Sequence, residues 1–179
     1  MDALKNILLI SGTGRNTGKT TFACKVIAHF SEQFDLVALK ISPHYHETGL
    51  TPEQLAINTG YRIIKERDAE SGKDSSRMLN AGARESFFIQ CSDEYLLDAM
   101  HSLPAWIRED VPVICESGSL GDYILPGVHI LVRPSNEFIN HPKYDARIRK
   151  ADRNIMYNGT EFDFDPVDLK FINGSWTLN

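Results

Sequence analysis

Ile10-Ser11-Gly12-Thr13-Gly14-Arg15-Asn16-Thr17-Gly18-Lys19-Thr20-Thr21 is the stretch that decides the fold. The apolar run Ile7-Leu8-Leu9-Ile10 precedes it, and a helical pattern from Thr20 to Phe30 follows. Strand, glycine-rich loop and helix is the context in which Gly18-Lys19-Thr20 reads as a phosphate-binding loop. Glycines let backbone N–H groups curve around an anion without a Cβ in the way, and the helix N-terminus adds free donors and a favourable dipole. The nucleotide-binding candidates are therefore Gly12, Thr13, Gly14, Arg15, Asn16, Thr17, Gly18, Lys19, Thr20 and Thr21. Lys19 would reach the terminal phosphates, and the Thr20 hydroxyl would hold Mg²⁺. Thr13 stands where the usual spacing has its first glycine, so counted from Gly12 the loop is one residue longer.

Outward from the loop, 34–41 is a near-continuous apolar run, as expected of a strand buried on both faces of a parallel sheet. Lys40 lies near its end. In an open α/β sheet that edge binds ligands, although a lysine there can also extend to water along its apolar stem. Ser42-Pro43-His44-Tyr45-His46-Glu47 follows, with His44 and His46 as candidates for a polar rim or a metal contact. Thr51-Pro52-Glu53-Gln54 resembles a helix start, predicting a short helix that ends near Gly60.

The pattern then predicts a strand over 61–66, a helix over 75–81 closed by Gly82, and a strand over 86–91. A helix capped by Ser92 comes next, and Pro104 breaks or kinks it. The apolar stretch 111–116 ends in Glu116, before small residues. An acid there suits a Mg²⁺ ligand or a water-ordering group beside the loop; the plainer alternative is a solvated strand end. Residues 128–132 read as the last core strand. Beyond Arg133, a polar stretch with a short helix leads to two hairpin signals, Asn158-Gly159 and Asn173-Gly174. The chain thus reads as one three-layer α/β/α domain with a mostly parallel sheet, a core over 1–133 and a small antiparallel extension over 134–179.

Composition narrows the function classes. The 179 residues are 42% hydrophobic and 24% charged, as in a globular protein, and the net charge of -5 argues against nucleic-acid binding. No apolar run approaches a membrane span or a signal peptide, and three cysteines without paired spacing suggest reduced thiols; both point to a cytoplasmic protein.

Gly18-Lys19-Thr20-Thr21, Lys40 with His44 and His46, Gly72-Lys73-Asp74-Ser75 and Ala81-Gly82-Ala83 together resemble the molybdopterin-guanine dinucleotide biosynthesis protein B family. Glu116 falls where that family has a strand-end Glu-Gly, and the resemblance covers roughly residues 6–120. It implies a P-loop NTPase fold, GTP binding, weak hydrolysis, often a homodimer, and a role in molybdenum cofactor biosynthesis. It also places Asp74 with His44 and His46 on the side of a small anionic acceptor. The longer loop instead resembles dethiobiotin synthetase, which implies an ATP-dependent ligase or small-molecule kinase. No Asn-Lys-x-Asp guanine reader is present, so GTP and ATP both stay open, and Glu116-Ser117 replaces Glu-Gly. The expected roles are phosphate and catalytic contacts for Lys19, Lys40 and Glu116, with Mg²⁺ on Thr20 and Glu116. A non-catalytic, nucleotide-gated partner protein is the third reading.

Overall fold

The computed structural model describes residues 1–43, 53–135 and 142–179. Its centre is an eight-stranded sheet in the order β3-β4-β5-β2-β6-β1-β7-β8. The strands are β1 (Asp2–Gly12), β2 (Val37–Ser42), β3 (Glu53–Asn58), β4 (Tyr61–Lys65), β5 (Glu85–Cys91), β6 (Val113–Glu116), β7 (Ile124–Pro134) and β8 (Arg153–Tyr157). Every adjacent pair is parallel except β3–β4 and β4–β5. Helices α1 (Lys19–Phe30), α2 (Asp74–Asn80), α3 (Leu96–Ser102) and α4 (Pro142–Lys150) connect them, and β9 (Leu169–Ile172) and β10 (Ser175–Leu178) form a separate antiparallel pair.

Alternation along the strands divides the core in two. Leu8 and Ile10 of β1 face Phe22, Ala23, Val26 and Ile27 of α1. Leu9 faces the opposite layer, with Phe87, Ile89, Leu96 and Leu120. Both faces of β1 are covered over Ile7–Ile10, which is why that part of its sequence reads as an unbroken apolar run. β1 lies between β6 and β7, so its carboxyl end opens where the strand order reverses, the place where open α/β sheets bind ligands. No helix among the described residues is long and apolar enough to cross a membrane.

Three expectations are corrected. The segment predicted as a helix ending near Gly60 is β3, hairpinned to β4 with Asn58 opposite Tyr61. The Asn58 side chain accepts from Thr59 N–H at 3.0 Å and Gly60 takes φ 90°, so turn chemistry prevails over the helix-start signal. The helix expected after Ser92 begins as a 3₁₀ turn, Asp93–Tyr95, and becomes α-helical only at Leu96. Finally, β7 is not the last core strand. Residues 153–157 leave the expected hairpin and join the main sheet as β8, parallel to β7, and an isolated antiparallel bridge joins Tyr157 to Phe162 beyond it. The 173–174 hairpin forms as expected. Its Trp176 is buried at 5.0 Å from Phe30 of α1 and 5.2 Å from Phe171.

Candidate functional site

The loop between β1 and α1 is held by its own residues. Asn16 (φ 56°) and Gly18 (φ 92°) take left-handed backbone conformations that let it turn back into the helix. A Cβ on Gly12 would lie 2.6 Å from Thr17 Oγ1, so the strand end and the loop approach too closely for a side chain. Gly14 is different: the nearest atom to a Cβ there is 3.8 Å away, consistent with an extra residue bulging from the loop. Lys19 Nζ donates to the Gly14 carbonyl and, at 3.3 Å, to Thr17 Oγ1. Burial lowers the Lys19 pKa, partly offset by Glu116.

Three elements converge on Thr20. Glu116, the last residue of β6, is 1% exposed and accepts from Thr20 Oγ1 at 2.7 Å. Its other oxygen meets Lys40 Nζ at 2.6 Å. Lys40 and Glu116 are register neighbours on adjacent parallel strands, so the sheet itself makes the pair. The Lys40 ammonium also lies 2.7 Å from Asp74 Oδ2, at the first residue of α2. Burial works against the Lys40 charge, but Glu116 and Asp74 outweigh it and raise the pKa. Burial likewise opposes the Asp74 charge, and Lys40 outweighs it, leaving that carboxyl below its usual range.

Comparison with protein-family models, curated proteins and solved structures found no match. The site must therefore be read from its own chemistry. Lys19, Thr20, Lys40, Asp74 and Glu116 come together as one cluster, while His44 and His46 lie outside the described residues. Among the described residues no three His, Cys, Asp or Glu side chains gather as a metal site. A hydroxyl beside a buried carboxylate is instead a sparse, all-oxygen donor set. It suits Mg²⁺, which keeps several waters and shares phosphate oxygens.

Two participants have no signal in the sequence reading. Arg77 bonds Thr21 Oγ1 at 3.3 Å and lies 3.7 Å from Asp74, closing the α1–α2 side. Tyr157, at the end of β8, packs on Gly18 so closely that a Cβ there would be 2.6 Å from the ring. Its other neighbour is Phe162, stacked at 4.5 Å. The loop and this cluster line one cleft of about 1210 Å³ that continues past Lys40 and Asp74 toward Lys65 and Arg67. The cysteines take no part: Cys24, Cys91 and Cys115 are free thiols, and burial pushes Cys91 up to about 11.

Proposed function

We propose that this chain is a Mg²⁺-dependent nucleotide-binding protein and slow nucleoside triphosphatase that takes GTP or ATP on the Gly12–Thr21 loop. The observation that carries this reading is the 2.7 Å bond from Thr20 to Glu116, made directly behind the curled, lysine-bearing loop. In this reading the loop amides cradle the phosphates. Lys19 would exchange the Gly14 carbonyl for phosphate oxygen, and Thr20 and Glu116 would hold Mg²⁺. Bound there, Mg²⁺ would neutralise charge developing on the phosphates during transfer. Lys40 and Asp74 face the acceptor side. The family resemblance supports a role beside guanine-nucleotide attachment to the molybdenum cofactor, because its Gly72-Lys73-Asp74-Ser75 element begins α2 against this cluster.

A second reading, transfer to a small anionic acceptor by an ATP-dependent ligase or kinase, is favoured by the extension of the same cleft from the loop past Lys40 to Lys65 and Arg67. Mass identification of co-purified nucleotide decides the base, and turnover with candidate acceptors separates the two readings. Lys19→Ala tests both together. Calorimetry should show a loss of about 2–5 kcal/mol in Mg²⁺–nucleotide affinity in a protein that circular dichroism shows to be folded. Wild-type affinity in that variant would remove the basis for either reading.

A further inference from the structure

Glu116 has both carboxylate oxygens engaged, one by the Thr20 hydroxyl at 2.7 Å and one by the Lys40 ammonium at 2.6 Å. The same ammonium is 2.7 Å from Asp74, and the Lys40 side chain is only 16% exposed. A carboxylate as buried as Glu116 needs a cation beside it. The chain supplies one itself: Lys40 holds Oε1 while Thr20 bonds Oε2, so a metal bound to Thr20 and Glu116 would compete with Lys40 for the charge of one carboxylate. We propose that Lys40 is an internal stand-in for the divalent metal. In the nucleotide-free protein it neutralises the Glu116 carboxylate against free cations, and it turns from that carboxylate when metal arrives together with nucleotide. The inference rests on the nucleotide reading of the loop.

Charge explains why metal alone does not displace it. Lys19, Lys40 and Arg77 surround the two carboxylates Glu116 and Asp74, so cations already outnumber anions in the cluster. A lone divalent ion adds to that excess in a poorly screened site. A triphosphate reverses the sign and gives both lysines new partners. Lysine suits the part because a compact charge on a flexible four-carbon stem can change partners without moving the backbone. Asp74 remains as a second partner for the freed ammonium, so the exchange is felt at the first residue of α2.

The test is Mn²⁺ titration of the nucleotide-free protein, followed by electron paramagnetic resonance. Wild type should leave the Mn²⁺ signal free. Lys40→Met, which keeps the apolar stem, should bind Mn²⁺ at least tenfold more tightly, and adding Glu116→Gln should abolish that gain. Equal Mn²⁺ binding by wild type and a folded Lys40→Met protein would overturn the proposal. A measurement on wild type alone covers the case in which the variant does not fold. With ¹⁵N-labelled lysine, Mg²⁺ by itself should leave the Lys40 Nζ resonance in place, and Mg²⁺ with a non-hydrolysable triphosphate should shift it. A shift with Mg²⁺ alone would overturn the idea equally. Calorimetry with nucleotide reports separately on the loop reading, because the Mn²⁺ titration contains none.

Discussion

At the scale of single residues, Gly12 and Gly14 have the same side chain and opposite constraints. Gly12 sits where any Cβ would meet Thr17 Oγ1 at 2.6 Å and the Lys19 stem at 2.9 Å. Gly14 has ordinary van der Waals distance around it. Gly12→Ala should therefore displace Thr17 and Lys19, destabilise the chain by about 1–3 kcal/mol and weaken nucleotide binding. Gly14→Ala should stay within about 0.5 kcal/mol of wild type in a urea melt. Equal costs at the two positions would mean that the loop does not hold this close contact. Lys40 and Glu116 are legible in the sequence because each lies at or near the end of an apolar run, and parallel strands bring such positions to one edge. Arg77 is not: its partner Thr21 belongs to another helix, and only the packing of α1 on α2 joins them.

Among the elements, legibility follows burial. β1, β2, β5 and β6 lie inside the sheet with neighbours on both sides, and their sequences are correspondingly apolar. β8 is an edge strand with one fully buried residue, Ile155, so Arg153-Asn154-Ile155-Met156-Tyr157 carries too little periodicity to be told from a hairpin arm. β3, at the opposite edge, buries no side chain fully and was open to the helix-start signal of Thr51 and Pro52. The β9–β10 hairpin, short as it is, has an energetic anchor. Trp176 is 1% exposed against Phe30 and Phe171, and its indole N–H has no hydrogen-bond partner among the described residues. Trp176→Ala should cost about 3–5 kcal/mol in a denaturant melt. Trp176→Phe should cost clearly less, because it retains much of the packing and removes an unpaired buried donor.

For the molecule as a whole, stability should depend on pH through a histidine away from the proposed site cluster. His129 of β7 is buried, with Nε2 2.7 Å from Ser11 Oγ on β1, and burial lowers its pKa from 6.5 to about 4. The nearby Asp152 and Asp122 oppose that shift without cancelling it. Between those two values the unfolded chain binds the proton and the folded chain does not. Stability therefore falls as pH drops from about 6.5 toward 4, by as much as about 3 kcal/mol. His129→Gln should flatten that part of the stability curve relative to wild type. Parallel curves for the two proteins in chemical denaturation from pH 7 to pH 4 would show that His129 contributes nothing to it.

The position of β1 also has a consequence in time. The strand that carries the loop is synthesised well before its sheet neighbours β6 and β7, with Ile10 paired to Glu116. At roughly 5–20 residues per second, about 5–20 s of translation separate the two. Throughout that interval Ile7-Leu8-Leu9-Ile10 is an apolar segment with no native strand beside it, the kind of segment that chaperones bind and that aggregates when they do not. Tyr157, which packs on Gly18, arrives later still. A ribosome stalled after β6 would therefore display the glycines and the lysine of the loop without β7 beside them and without Tyr157 on Gly18. Nucleotide affinity should appear in nascent chains abruptly, and only once β6, β7 and β8 have emerged.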